Sequence, residues 1–98
     1  LDAAYSQAFD TPPRVEHQPP LDCPRSAQAI GATGQVTVKA FIAEDGRVTE
    51  TILHTSSGVD ALDGAALAAV REWRFQPAKR DGAPVATQVL IPLRFDCR

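Results

Sequence analysis

Residues 34–54 read GQVTVKAFIAEDGRVTETILH, and this stretch decides the fold. Apolar Val36, Val38, Ala40 and Ile42 alternate with the residues between them, which is the period of two expected for a strand with one buried face. The letters EDGR then place Asp-Gly between two alternating runs, a hairpin signal in which both turn centres are expected to take positive φ. The returning strand runs from Val48 to about residue 54. The sequence therefore predicts a β-hairpin.

A helix follows the hairpin. Asp60 is predicted to be its N-cap, and apolar side chains recur at helical spacing from Leu62 to Trp73, which indicates a helix that packs on a sheet. Arg71 and Arg74 in the expected last turn complement the helix dipole. Pro77 is expected to end the helix.

The last strand is predicted over residues 85–95, after a turn with the sequence RDGA at 80–83. Pro92 lies inside this strand, and because proline cannot donate to a ladder, the strand is expected at an edge. Placing it beside the first strand gives the order 2-1-3. The fold class is therefore α+β: a two-layer sandwich with a three-stranded antiparallel or mixed sheet, one main helix and a short N-terminal helix near residues 25–30 that stops at Gly31.

The 98 residues suffice for one domain, here 23–98, preceded by a proline-rich lead-in over 1–22. A short frayed helix is possible from Asp2 to Asp10. A net charge of −2 with 22% charged residues disfavours both a disordered tail and a nucleic-acid binder, although residues 71–98 carry six basic against three acidic side chains. No membrane span, signal peptide or methionine is present, so any upstream anchor would lie outside this chain.

Several short motifs, taken in their order and spacing from Pro24 to Phe95, resemble the C-terminal domain of the TonB family. They are GQVTV (34–38), IAEDGRV (42–48), SSG (56–58), LD (62–63), AAL (65–67), AV (69–70), WRFQP (73–77), PV (84–85) and IPLRF (91–95). One departure is Cys23-Pro24, where the family often has Tyr-Pro.

The resemblance implies a periplasmic domain, anchored to the inner membrane through a segment outside this chain. Such domains couple the ExbB/ExbD motor to outer-membrane transporters for siderophores, vitamin B12 or similar solutes, without enzyme activity or a cofactor. The transporter's TonB box would add a strand to the last strand of the domain. The partner-binding residues would then be Val85, Ala86, Thr87, Gln88, Val89, Leu90, Ile91 and Leu93, with Gln18 and Asp22 as candidates in the lead-in. A homodimer through the open edge is a further possibility.

The two cysteines, Cys23 and Cys97, could be metal ligands, a redox pair or a disulfide. A metal site needs more ligands than these and two scattered histidines offer, and the C-x-x-C spacing of redox sites is absent. The periplasmic location that the resemblance implies favours a disulfide. It would fasten the lead-in to the end of the last strand.

Alternative functions rest on weaker features. Ser56 and Ser57 near His54 suggest a small serine hydrolase, but no nucleophile elbow surrounds them, and a polar turn explains them as well. Trp73 is expected in the core. Five basic residues are either a solvated surface or a guide for acidic partners: Arg71, Arg74, Lys79, Arg80 and Arg94. A TonB-like interaction module without motor coupling is the principal alternative.

Overall fold

The structure is a computed structural model that describes residues 9–98. Its elements, in chain order, are β1 (Arg14–His17), α1 (Arg25–Ala29), β2 (Thr33–Ile42), β3 (Val48–Thr55), α2 (Asp60–Arg71), β4 (Arg74–Gln76), β5 (Ala78–Arg80), β6 (Ala83–Val85) and β7 (Thr87–Asp96). The helix considered for residues 2–10 falls almost wholly outside the described range. Between residues 9 and 98, no helix is long and apolar enough to cross a membrane.

The main sheet has the strand order β3-β2-β7, and both pairings are antiparallel. This confirms the predicted α+β class and the predicted order, in which the central strand is the first of the three along the chain. Two small two-stranded sheets, β1-β4 and β5-β6, were not anticipated.

The core lies between one face of the main sheet and α2. The four inward residues of β2, Val36, Val38, Ala40 and Ile42, are completely buried, and they cluster with Leu62, Ala66 and Val70 of the helix. Phe41 breaks the expected alternation, because it is buried on the opposite face of the sheet and lies outside the main cluster. The second face of the sheet is therefore covered at Phe41.

The two Asp-Gly turns differ in conformation. In the central hairpin only Gly46 has a positive φ, and its N–H donates to the Ala43 carbonyl at 2.9 Å. The expectation that both central residues have positive φ is wrong here. It holds instead at the β5-β6 hairpin, where Asp81 and Gly82 have φ values of 52° and 81°, as a type I′ turn requires.

A tertiary contact explains the conformation of the first turn. The Phe75 amide donates to the Gly46 carbonyl at 2.9 Å, and a Cβ on Gly46 would lie 1.8 Å from the Phe75 carbonyl oxygen. Only glycine permits this approach of two backbones. The hairpin turn is thus fixed against the segment that follows α2.

Both ends of α2 differ from the prediction. The N-cap residue is Val59, with Asp60 at the first helical position, and no side chain caps the helix directly. The helix ends at Arg71, five residues before the expected stop at residue 76, because Arg74 and Phe75 continue as the strand β4. Trp73 is nevertheless buried, with its ring centroid 6.1 Å from that of Phe75.

The predicted last strand is two strands. Residues 83–85 pair back onto β5 as β6, and the chain then breaks at Ala86 before β7 begins at Thr87. The type I′ turn closes the small hairpin before the chain can join the main sheet. The alternation of residues 85–95 gave no sign of this break, because Val85 of β6 continues the alternation of β7.

The lead-in is attached to the domain by backbone pairing. Strand β1 pairs with β4, although all four of its residues are exposed. Before β1 in the lead-in, Thr11 and Lys79 exchange backbone hydrogen bonds of 3.0 and 2.9 Å, and the Asp81 amide donates to the Asp10 carboxylate at 2.8 Å. An exposed strand carries no hydrophobic pattern, which is why the sequence did not reveal it.

Replacing Gly46 with alanine should destabilise the domain strongly. Gly58 is the matched control, because its φ of 87° is close to the 88° of Gly46 while nothing lies within 4 Å of a Cβ there. We expect Gly58→Ala to cost about 1–2 kcal/mol from backbone strain, and Gly46→Ala at least about 2 kcal/mol more from the clash with Phe75. Urea denaturation of both variants measures the difference. Equal losses would contradict the contact.

Candidate protein-binding edge

Strand β7 forms an open edge of the main sheet. It pairs with β2 over ten consecutive residue pairs without a register shift, and no other strand between residues 9 and 98 pairs with it. The opposite edge, β3, has two register shifts in its pairing with β2. Bulges of this kind protect an edge from further pairing, so β7 is the more regular template for an added strand.

Two hydrogen bonds define which amides of β7 point outward. The Cys97 amide donates to the Ala32 carbonyl at 2.9 Å, which places the odd-numbered residues of β7 in hydrogen-bonded pairs with β2. The Ala43 amide donates to the Arg47 carbonyl at 2.9 Å, which directs the odd-numbered backbone groups of β2 to β3 and the even-numbered ones to β7. Both observations give the same phase. Five residues of β7 have backbone groups that face away from the sheet, and we call them the outward row: Gln88, Leu90, Pro92, Arg94 and Asp96.

Pro92 fits this phase, because a proline is tolerated where its nitrogen faces solvent. The inward side chains of β7, at Ile91, Leu93 and Phe95, are buried against the core. Leu90 is 50% exposed on the other face of the sheet. Gln88 has a buried side-chain oxygen, Oε1, that accepts no hydrogen bond from the described residues, which is uncommon in folded proteins.

The structure separates the residues expected to bind a partner. Thr87, Gln88, Val89, Leu90, Ile91 and Leu93 lie on β7, whereas Val85 belongs to β6 and Ala86 to the break between the strands. Gln18 and Asp22 are exposed in the segment between β1 and α1. Asp22 directly precedes Cys23, whose bridge leads to the end of β7, whereas no hydrogen bond or ion pair among residues 9–98 joins Gln18 to this edge.

The charged residues Arg94, Asp96 and Arg98, at the end of β7 and just beyond it, lie outside the set expected to bind an added strand, although Arg94 was considered as a guide for acidic partners. Arg98 donates to Asp96 through Nε and a terminal nitrogen, both at 3.0 Å. These hydrogen bonds and the charges of Arg98 and Arg94 lower the pKa of Asp96 from 3.8 to about 2. The alternation about Pro92 is the sequence signal that could have placed Arg94 and Asp96 in the outward row.

A disulfide joins Cys23 and Cys97, whose Cα atoms lie 5.8 Å apart. Cys97 follows the last residue of β7 directly, and only Pro24 separates Cys23 from the short helix α1. The bridge therefore fastens the end of the lead-in to the end of the edge strand. Among residues 9–98 there is no group of three or more side chains that could hold a metal ion.

The serines considered for catalysis bind Asp63 rather than a histidine. The hydroxyls of Ser56 and Ser57 and the Ser57 amide all donate to the Asp63 carboxylate, the last two at 2.8 and 2.9 Å. Burial raises the pKa of Asp63, but the three hydrogen bonds outweigh it and hold the pKa below its usual 3.8. His54 contacts Thr55 instead. The cluster organises the loop before α2, and it does not pair a nucleophile with a base.

The five basic residues considered as a guide for acidic partners lie on different elements. Arg71 donates to Thr51 Oγ1 at 3.2 Å, and Arg74 donates to the Trp73 carbonyl at 3.2 Å. Lys79 and Arg80 are exposed on β5, while Arg94 lies on β7. Two of the five thus have structural partners inside the domain.

Comparison with known proteins identifies the family. The family model described as the C-terminal part of the Gram-negative bacterial TonB protein matches residues 19–97. The chain belongs to this TonB C-terminal family.

Individual relatives agree with this assignment. The chain is 38% identical to the TonB protein of Vibrio cholerae over 86 residues, which is 88% of the chain and 35% of that protein. It is 35% identical to the protein tonB2 of Pseudomonas aeruginosa over 81% of the chain and 29% of that protein. The chain thus spans about a third of the length of these relatives.

A solved structure shares the fold. The solution structure of the Pseudomonas aeruginosa TonB C-terminal domain superimposes with a TM-score of 0.72 at 31% identity, covering 89% of this chain and 88% of that one. The TonB-like fold predicted from the motifs is confirmed.

Replacing Asp63 with asparagine should destabilise the domain and reduce the loss of its unfolding free energy as the pH falls. A carboxylate whose pKa is lowered by folding adds stability above its unfolded pKa of about 3.9, and this stability is lost as the pH falls through the folded pKa. We expect Asp63→Asn to cost about 1–3 kcal/mol at pH 7, because the amide cannot accept all three hydrogen bonds. Urea denaturation between pH 7 and about pH 3 measures both effects.

Asp60→Asn is the control, since Asp60 lies in the same first turn of α2 but outside the serine cluster. It should lose only the interaction with the helix dipole, about 0.3–1 kcal/mol. A pH dependence of unfolding that is identical in wild type and Asp63→Asn would show that Asp63 does not contribute.

Reducing the disulfide should weaken the domain substantially. The chain-entropy model gives about 4–5 kcal/mol for a bridge between cysteines separated by 74 residues. Urea denaturation with and without reductant measures the loss, and a Cys23→Ser/Cys97→Ser variant, which should not respond to reductant, is the control. A midpoint unaffected by reductant would contradict a structural role for the bridge.

Proposed function

We propose that this chain is the receptor-binding domain of a TonB-like energy transducer. In this proposal β7 captures the TonB box, a short extended segment of an outer-membrane transporter, by β-strand addition. The domain acts by binding and force transmission rather than by catalysis. The transported solutes would be siderophores, vitamin B12 or similar scarce compounds.

One observation carries this proposal, namely the regular outer edge of β7. Its outward row offers backbone acceptors over the length of the strand and donors at every member except Pro92, and the pairing with β2 has no register shift. An extended peptide gains affinity at such an edge chiefly through main-chain hydrogen bonds. Family membership supports the same partner class.

The disulfide supports a periplasmic location, because such bonds persist in oxidising compartments. The domain would be anchored to the inner membrane, and coupled to the ExbB/ExbD motor, through a segment of the full protein that lies outside this chain. Without that coupling, the same edge would serve a periplasmic interaction module, which is the alternative function.

The position of the disulfide also suits force transmission. A pull on the lead-in would first load its backbone hydrogen bonds to β4 and β5; once these separate, it would reach Cys23 and pass through the covalent bridge to Cys97, one residue beyond β7. The partner strand would be loaded through β7 itself. Helix α2 and strand β3 would then lie outside the direct path of the force.

Self-association would use the same surface. Two copies that paired through β7 would cover the edge needed for the transporter, so a homodimer of this kind would compete with TonB-box binding. The two states therefore depend on protein concentration in opposite ways.

A proline at Leu90 should weaken binding of a TonB-box peptide more than an alanine does. Leu90→Pro removes an outward amide and leaves the β2-β7 ladder intact, whereas Leu90→Ala removes only the side chain. One lost hydrogen bond predicts a further weakening of about twofold to tenfold relative to Leu90→Ala. Fluorescence anisotropy with a labelled peptide from a partner transporter measures the dissociation constants.

Val89→Pro provides the structural contrast, because the Val89 amide faces β2 and its loss should destabilise the fold itself. Amide NMR spectra would first verify that both Leu90 variants are folded. Equal binding by Leu90→Pro and Leu90→Ala would argue against strand addition at this edge.

A further inference from the structure

We propose that the outer edge of β7 recognises its partner in two blocks separated by Pro92, and that Arg94 selects an acidic residue in the second block. This inference rests on the proposed strand addition and specifies the sequence of the added segment. The first block consists of Gln88 and Leu90, and the second of Arg94 and Asp96.

Pro92 interrupts the outward row of donors. Each other member of the row offers an amide N–H and a carbonyl to an incoming strand, but Pro92 offers only its carbonyl. One carbonyl of the added segment therefore meets no donor at this point. The interruption also shortens the continuous edge available to a second copy of the chain, as prolines on edge strands do in other sheets.

The second block is charged and has an unused cation. Arg94 is exposed, and it makes no hydrogen bond or salt bridge with any residue between 9 and 98, although its charge also attracts Asp96. The carboxylate of Asp96 is bound by Arg98 instead. A cleft of about 410 Å³ opens beside Arg94, Gln35 and Asp96. A carboxylate of the added segment would have both a cation and space here.

The first block contains one apolar side chain, that of Leu90. Leu90 lies on the same face of the sheet as Arg94, because residues four apart in a strand point the same way. Opposite Leu90 on β2 is Lys39, and beyond it on β3 is Ile52, which is 42% exposed. An apolar side chain of the added segment would pack against Leu90.

The two blocks together define a spacing. The partner segment should carry an apolar and an acidic residue four positions apart, so that both face the open side of the sheet. An antiparallel segment carries the acidic residue first, and a parallel segment carries it last. A spacing of three would turn the acidic residue to the other face and away from Arg94.

Synthetic peptides test the spacing on the disulfide-bonded domain. In the first pair of peptides, an aspartate and a leucine lie four positions apart on a background of threonine and valine. The aspartate comes first in one peptide and the leucine comes first in the other. A matched pair carries the same residues three positions apart. We expect one peptide with the four-residue spacing to bind about twofold to fivefold tighter than its matched partner, less so in high salt.

Substitutions test the role of Arg94. Arg94→Gln should remove the advantage of the four-residue spacing, while Arg14→Gln, on β1, should leave it unchanged. Arg94→Glu should instead favour a peptide in which lysine replaces the aspartate. Equal responses of Arg94→Gln and Arg14→Gln would overturn the selection by charge.

Pro92→Ala tests the division into blocks. It restores an outward donor, so peptide binding should tighten about twofold to tenfold, and the restored amide should exchange more slowly when peptide is bound. Unchanged or weaker binding would overturn the division. In either case, peptide-induced shifts confined to β7 would leave the proposed function standing, whereas no shift with these peptides or a transporter segment would contradict the function itself.

Discussion

The uninterrupted antiparallel pairing of β2 and β7 is the interaction on which the rest of the structure depends. In this pairing the even-numbered residues of β2 lie opposite the odd-numbered residues of β7, and the side chains of both sets point into the core. The backbone groups of the even-numbered residues of β7 therefore face solvent. One geometric relation thus produces both the hydrophobic core and the candidate binding edge. A shift by one residue would exchange the two sets and lose both.

Contacts outside the main sheet keep this arrangement in place. The disulfide fastens the lead-in to the end of β7, and backbone hydrogen bonds hold the lead-in beside β4 and β5. At the turn between β2 and β3, Gly46 fixes the central hairpin against Phe75 of β4. Each of these contacts connects segments that are distant in sequence, which compensates for the modest core of a domain of this size.

The elements that could be predicted are those with a strong local pattern. The alternation in β2, the helical stripe of α2 and Pro92 in the last strand were enough for the strand order and for the edge position of β7. Strand β1 was missed because all of its side chains are exposed, and the end of α2 was misplaced because β4 begins where helical spacing still continues. At 45–46 and 81–82 the same Asp-Gly pair adopts two conformations, since Phe75 constrains only the first. In the site, Pro92 alone could have shown which amides face outward. That Arg94 has no ion-pair partner among residues 9–98 could not be predicted, because it depends on Asp96 binding Arg98 instead.

The central claim is that the outward amides of β7 form the binding surface, and residue-resolved hydrogen exchange tests it most directly. In the free domain, the amides of Val89, Ile91, Leu93 and Phe95 should be protected by β2, while those of Gln88, Leu90, Arg94 and Asp96 should exchange rapidly. With a saturating transporter peptide, the second set should become protected and the first should change little. Saturated binding that leaves the second set exchanging rapidly would contradict the account.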